Sequence, residues 1–488
     1  MNGMERSGRS MQGAKKAASP PFLNLNTSSG SLRKIQAMHL YEVKGRPPIV
    51  YVAFLVITLL PLYYGSYRYR LRHPYGGATI SEGRVVPQDF IHEWLDVHVI
   101  EPYSASPLSN YCNRTEWRPN LVFNLANANG GIGNVRGNIL DFVFFAIEAG
   151  ASIVLPGMAV RSQDDLSNVW ADRASFDALF DEEWFLRKMK EACPRMQIYK
   201  PEPGMEVAPA LEGNYLPSSR RMDESFDNTK DAYLAHLDGW LQSKPNFEAD
   251  KLVVVNLERT LWEIDTWSLP VGFRRNFGQL LRVNPSACQL AALAVQNLAL
   301  GYGIPLDPRT AIPKNSFYGA HLRTEADAAN AGWLNAPNAN FSAQTDAYIQ
   351  QASKHNLGLI YAASGDPTDL GRFKAKAAAH SPPVQVVTKF DLLPPSGAAI
   401  LKEMTWDQQA LVDFEVLKRC SLFGGFVKSS FSYNIGMARY QWLEDQGKVV
   451  DPWMVTHSMD GVAFDDGLSR MLGRDAFHEQ RIPRGMWP

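Results

Sequence analysis

The chain has 488 residues, with 49 Lys plus Arg against 50 Asp plus Glu. That length exceeds one ordinary core, so two domains of roughly 150–200 residues plus extensions are expected, and the charge balance excludes a nucleic-acid binder driven by phosphate neutralisation. The four cysteines, Cys112, Cys193, Cys288 and Cys420, contain no CxxC and imply neither a zinc site nor a dense disulfide framework, leaving room for one or two bridges.

Residues 1–46, rich in Ser, Gly, Lys and Asn, predict a disordered tail. Residues 47–67, "PPIVYVAFLVITLLPLYYGSY", carry no charge, and at about 1.5 Å per residue they span roughly 30 Å as a helix, the thickness of a bilayer core. A buried core helix or a signal peptide fits less well, because 46 mostly polar residues precede the stretch and Tyr51, Pro61, Tyr63, Tyr64 and Tyr67 suit an interfacially anchored span. The flanking charges tie, Arg33, Lys34, Lys44 and Arg46 against Arg68, Arg70, Arg72 and Arg84. A short tail, one span and a large C-terminal body describe a single-pass type II membrane protein of the Golgi or endoplasmic reticulum with its body in the lumen. There the sequons at Asn113 and Asn340 would be usable. Residues 68–116 read as a stem.

The body opens with a strand in "LVFNLAN" (121–127), a glycine loop, the apolar periodic stretch "ILDFVFFAIEAGA" and a second strand "SIVLP" (152–156). Strand, loop, helix and strand in that order make a βαβ unit and a parallel sheet. An amphipathic helix in "SFDALFDEEWFLRKMKEACP", a Pro, Gly and Ser-containing excursion at 201–222, a buried strand "KLVVVNL" (251–257) and a helix ending near Gly301 complete a first domain, 117–305. A second series follows in 306–460, with strands "SFYGAHL" (316–322), "LGLIYAAS" (357–364), "VQVVTK" and "LFGGFVKS" (422–429), and helices around 341–355, in "DLGRFKAKAAA" and in "WDQQALVDFEVLKRC". Residues 461–488 form a C-terminal extension. The fold class is therefore α/β, two facing Rossmann-like domains behind a single N-terminal transmembrane helix, with a ligand cleft between the carboxyl ends of their strands.

Three segments carry candidate chemistry. In "NGGIGNVRGN" (129–138), Gly130, Gly131 and Gly133 let backbone N–H groups and a helix N-terminus approach a phosphate; the alternative is a tight turn and no more. A dinucleotide fold is disfavoured, since Arg136 stands at the third glycine position of GxGxxG and no acid lies about 20 residues on. In "HLRTEAD", alternation sends His321, Arg323, Glu325 and Asp327 to one side of a strand end. Arg323 either pairs structurally with Glu325 or Asp327 or offers its planar fork to a departing diphosphate. His321 holds the other phosphate or is a satisfied strand-end histidine. In "VKSSFSYNIGMAR" (427–439), Ser429, Ser430 and Ser432 precede a helix expected to begin near Tyr433, as plain caps or as an anion site, with Arg439 structural. No DxD, HExxH, GxSxG or P-loop lysine motif occurs, which points to a diphosphate site that uses no metal.

Together "GGIGNVRGNILD", "HLRTEAD", "LIYAASGD" and "LVDFEVL…FVKSSFSYNIGMAR", in that order, resemble the GDP-fucose protein O-fucosyltransferase family and its plant and fungal relatives, over about residues 117–445. The resemblance implies the GT-B architecture, with the first domain on the acceptor side and the second on the GDP-sugar side. It places Arg323 at the arginine that contacts the donor phosphate and stabilises leaving GDP, with His321, Glu325 and Asp327 as its neighbours. Ser429, Ser430 and Phe431 match phosphate-binding and nucleotide-packing residues, and Asp413 an acid that holds guanine. Gly130, Gly131, Arg136 and Asp141 fit the family's loop pattern, but the usual asparagine position is Gly133, with Asn134 one place later.

The expected activity is an inverting, metal-independent transfer of a sugar, fucose first, from a GDP-sugar to a hydroxyl of a protein or glycan. Arg323, the Ser429–Phe431 loop and helix N-termini would stabilise the leaving group, Glu325 or Asp327 would serve as base, and Asn134 would orient the acceptor. No cofactor beyond the donor and no nucleic-acid partner are expected. The rivals are a catalytically inactive, membrane-anchored nucleotide-sugar or glycan-binding relative, and a nucleotide-dependent oxidoreductase resting on the glycine loop alone.

Overall fold

A computed structural model describes residues 90–97, 103–163, 165–201, 210–212, 229–244, 248, 250–262, 264–336, 338–448, 462–473 and 485–488. The expected tail, transmembrane helix and first part of the stem lie outside them. No described helix is long and apolar enough to cross a membrane.

Two short helices, α1 (Phe90–Asp96) and α2 (Ser106–Cys112), correct the expected stem. Phe90, Trp94, Leu108 and Cys112 are buried in the main core, and a Cys112–Cys193 disulfide fixes α2 to the body. Apolar side chains at these spacings in two seven-residue helices bury themselves rather than span open solvent. Cys288 and Cys420 are free.

The first sheet grows from β1 (Leu121–Asn124), followed by α3 (Ile132–Ala149) and β2 (Ser152–Val154). A short antiparallel hairpin, β3 (Met158–Val160) and β4 (Asp172–Ala174), leads to α4 (Glu182–Ala192), β5 (Ile198–Tyr199), β6 (Ala210–Glu212), α5 (Lys230–Gln242) and β7 (Val253–Asn256). The strand order is β5-β2-β1-β7-β6, all parallel. Helix α3 is apolar on nearly every side and is buried on nearly every side, the central helix of this half. Gly131 caps its start, and Gly150 in the left-handed region at φ 68° ends it. Two further helices, α6 (Val271–Gly278) and α7 (Pro285–Tyr302), follow; α7 runs to Tyr302 with Gly303 as its left-handed cap, one residue beyond the expected end near Gly301.

The second sheet begins at β8 (Tyr318–His321), continues through α8 (Ala326–Asn330), α9 (Phe341–Lys354), β9 (Leu359–Ala363), α10 (Pro367–Ala378) and β10 (Gln385–Val387), then α11 (Lys389–Leu392), α12 (Pro395–Glu403), α13 (Trp406–Lys418), β11 (Leu422–Phe426) and α14 (Ser430–Asp445). Two strands from the expected C-terminal extension, β12 (Val462–Asp465) and β13 (Ser469–Leu472), complete it in the order β10-β9-β8-β11-β13-β12. Strand β13 is parallel to β11, and its Met471 and Leu472 are core residues, so this part of the chain belongs to the sheet. The last described residues are equally embedded. Trp487 packs between Phe144 and Phe277, with ring centroids at 5.4 and 4.5 Å, and donates from Nε1 to Asp141 Oδ1 at 2.8 Å.

The halves are joined by packing of α7 on α13 and α3 on α14. A Cβ at Gly133 would lie 2.6 Å from the Ser430 carbonyl carbon, so the two helix N-termini meet where only glycine fits. Buried Arg274 and Arg275 of α6 pair with Glu444 at the end of α14, and Arg275 also with Asp445.

Candidate functional site

A cavity of roughly 760 Å³ opens at the carboxyl ends of both sets of strands, where open parallel sheets bind ligands. Its walls hold His321, Arg323, Glu325, Asp327, Asn134, Asp413 and Ser429–Phe431 together. The expected cluster is therefore real, but its geometry differs from strand alternation. Strand β8 stops at His321, because the Gln344 side chain takes both backbone groups of Arg323, donating to its carbonyl at 3.1 Å and accepting from its N–H at 3.0 Å. Asp327 lies on α8, and the turn between brings it back to Arg323.

Arg323 Nη1 donates to Glu325 Oε2 at 2.6 Å and Asp327 Oδ1 at 2.8 Å, and Nη2 to Asp327 Oδ2 at 2.7 Å. That uses three of five N–H groups. Nε–H and the second Nη2 hydrogen, which form the side-on fork of the guanidinium, are engaged by no described residue. Burial works against the guanidinium charge, but Glu325 and Asp327 outweigh it and hold Arg323 above its ordinary value. Burial likewise pushes the Glu325 carboxyl up, and Arg323 with His321 brings it below the usual range; the Arg323 hydrogen bond does the same for Asp327 against its burial. Glu325 Oε1 also accepts from Gly365 N–H at 2.8 Å and Ser364 Oγ at 3.2 Å. Both acids thus orient Arg323 and are poor proton acceptors.

His321 is buried, with Nδ1 2.7 Å from Ser432 Oγ. Ser432 Oγ accepts from Phe426 N–H at 3.0 Å, and among the described residues Nδ1 is the one acceptor its own hydrogen has, so the hydroxyl donates to Nδ1. This assigns the Nε2–H tautomer and makes His321 a neutral donor on the cavity wall. Ser432 itself is fully buried behind the imidazole and off the cavity wall, which corrects its expected place among donor-binding residues: as the third residue of a helix it turns its Oγ to the backbone of Phe426 in the sheet. That helix, α14, starts at Ser430, three residues before the expected Tyr433, with Ser429 as N-cap. The Ser429 side chain makes no capping bond, and Ser429 and Ser430 line the cavity at the start of this helix, where first-turn N–H groups have no intrahelical acceptor. Phe431 packs on His321 at 4.7 Å between centroids. Arg439 is structural, donating to the carbonyls of Lys418, Cys420, Ser421 and Leu468.

Burial lowers His321 to about 4. An unfolded histidine at about 6.5 binds a proton that the folded one refuses, so stability is full above about pH 6.5 and falls as pH drops toward 4, by up to about 3 kcal/mol. Relative to His321→Asn, the wild-type unfolding free energy should decline more steeply across that window in urea titrations. Burial also raises Asp407 and Asp466 to about 6, which tilts both proteins the opposite way and cancels in the difference. Parallel curves would remove this assignment.

In the glycine loop, Gly130 has φ 104°, and Asn134 folds back against it, since a Cβ there would sit 2.8 Å from Asn134 Nδ2. Asn134 lines the cavity, and its buried Oδ1 has no hydrogen-bond partner. Arg136, counted with the glycine loop, is not on the wall of this cavity. Its guanidinium turns away to the carbonyls of Gly278, Trp487 and Pro488 and to Asn434 Oδ1, at 2.5–3.0 Å, and burial lowers it to about 10. Asp413 is buried on the wall, its Oδ2 2.5 Å from Lys389 Nζ and its Oδ1 accepting from Tyr361 OH at 2.7 Å.

The sequence reading missed Lys389 and Arg161. Arg161, at the end of β3, crosses from the first half to within 3.5 Å of Asp327 and 4.0 Å of Asp407, and lies over the Trp406 ring. It carries no local motif. Trp262, also on the wall, has φ 57°, a strained conformation for a bulky residue.

A profile of the family described as GDP-fucose protein O-fucosyltransferase matches residues 121–440. Among solved structures, POFUT1 in complex with GDP is similar at 12% identity and TM-score 0.38, covering 66% of this chain and 96% of that one. POFUT1 in complex with GDP-fucose gives 12% and 0.38 over 67% and 95%. The fucosyltransferase NodZ from Bradyrhizobium gives 12% and 0.33 over 67% and 93%. The profile spans well over half of the 488 residues and takes in the glycine loop, the Arg323 cluster and the Ser429–Phe431 turn, so the chain belongs to the GDP-fucose protein O-fucosyltransferase family and is a glycosyltransferase.

Proposed function

We propose that the chain transfers fucose from GDP-fucose to an acceptor hydroxyl, with inversion and without a metal ion, in a GT-B arrangement. The observation that carries this reading is the unengaged side-on fork of Arg323 beside the N-terminus of α14 and the Nε2–H of His321. These groups offer a diphosphate the donors that a divalent cation would otherwise replace. The acceptor oxygen forms its bond to the anomeric carbon as the bond to the β-phosphate oxygen breaks and the electron pair leaves with GDP. Asn134, on the cavity wall, orients the attacking hydroxyl, its proton passing to water. Asp413 and Lys389, an acceptor beside a donor, hold the guanine edge. In this reading residues 47–67 anchor the protein as a type II membrane protein with its body in the Golgi or endoplasmic reticulum lumen.

Calorimetry of the full chain with GDP, UDP and NAD, followed by release of GDP from GDP-fucose with and without EDTA, tests it. GDP alone should bind, and turnover should survive EDTA. A folded sample that ignores GDP would end the transferase reading. One observation favours a second reading, a catalytically inactive binding relative: the loop amide falls at Asn134, one residue late, and the nearby acids are committed to Arg323. Binding of GDP without any turnover would select it.

A further inference from the structure

A second cavity, also of roughly 760 Å³, opens beside the first at the carboxyl ends of β1 and β7. Its walls include Asn124, Asn127, Asn256, Glu258, Arg259 and Trp170. Asn124 and Asn256 are the terminal residues of adjacent parallel strands, in register and joined by a 2.9 Å bond from Asn124 Nδ2 to Asn256 Oδ1. In register, both amides stand on the same face of the sheet, at its carboxyl edge. Asn129, on the same wall, accepts from Arg259 Nη1 at 2.8 Å.

We infer that this cavity is the acceptor subsite and that its ligand is a glycan, a pyranose stacked on Trp170 with its hydroxyls held by the asparagine amides. The inference rests on the transferase reading for its role in catalysis. A carboxamide both donates and accepts, which matches the hydroxyls of a sugar, each also donor and acceptor. Trp170 is 58% exposed on the β3–β4 hairpin. An indole at the rim of a cavity lined by amides offers a flat apolar face, on which the C–H face of a pyranose can stack while its edges stay wet. Arg259 belongs to the walls of both cavities, so a glycan filling the second ends where Asn134 and the donor site begin.

The test titrates the full-length protein, Trp170→Ala and Asn127→Ala with cellotetraose, chitotetraose and tetragalacturonate by calorimetry, and each sample with GDP. At least one oligosaccharide should bind saturably to the wild type and about tenfold or more weaker to Trp170→Ala, the loss of one aromatic contact. Asn127→Ala should weaken it too, with the GDP Kd within twofold in all three. The neutral and uronic probes separate polyol recognition alone from recognition assisted by Arg173 and Arg259. Absence of oligosaccharide binding in a sample that binds GDP overturns the inference and leaves the donor reading standing. Binding that both variants leave unchanged also overturns it. Loss of GDP binding with Trp170-dependent oligosaccharide binding sinks the transferase reading and retains the glycan site.

Discussion

Arg323→Ala is expected to lower transfer by about 10³-fold or more and to destabilise the protein by about 3–5 kcal/mol, because one side chain serves both ends. Its Nη1 and Nη2 neutralise Glu325 and Asp327, which are largely buried and lose their only close cation in the variant apart from Arg161 at 3.5 Å. Its Nε side, which no described residue engages, is the part assigned to the leaving group in the proposed reaction. The two effects separate in Arg323→Lys. An ammonium restores much of the charge balance but has no second fork, so stability should recover by a large part while turnover stays down by about 10²-fold or more. Denaturant unfolding alongside kcat for all three proteins reads both quantities. A lysine variant with near-native kcat would show that Arg323 is an ion-pair residue and no more.

Cys112→Ser with Cys193→Ser should cost about 4–5 kcal/mol, the chain-entropy value for a link between residues 81 apart in sequence. The bridge ties α2, ahead of the first strand, to the end of α4, so its loss frees the segment before β1 in the unfolded ensemble and loosens it in the native one. Both sulfurs are buried in the main core, away from the cavity walls, and the GDP Kd should stay within about twofold. Urea midpoints of oxidised protein, reduced protein and the double variant give the comparison. A difference below about 1 kcal/mol would mean that packing of Phe90, Trp94 and Leu108 holds this segment without the bridge.

The inner strands of both sheets were legible because they are short apolar runs bounded by turns, as in "KLVVVNL" and "LGLIYAAS", a signal that burial on both faces imposes, whereas the edge strands β5, β6, β12 and the inserted β13 were not. The cluster around Arg323 was legible as a set of residue types, though not as a shape. Nothing local shows that Gln344, 21 residues on, ends strand β8 or that Asp327 returns on a helix. Ser432 was misplaced for a related reason: three serines in a row of four look alike until the helix start at Ser430 sends one inward. Arg136, Arg161 and Lys389 depend on contacts made between distant segments, so no spacing rule reaches them. The expected stem hid α1 and α2 because two seven-residue helices carry too few turns for a clear apolar period.

The meeting of α3 and α14 at Gly133 and Ser430 sets the positive ends of two long helices side by side. Each carries roughly half an elementary charge at its N-terminus, so the two repel one another when the cleft holds only water. Their contact therefore carries an electrostatic tension along the seam, which an anion bound beside the two N-termini would relieve. If a diphosphate binds there as proposed, that release would add to the contacts it makes. Glycine at 133 allows the approach that creates the tension, and so helps set how strongly the empty cleft attracts its substrate.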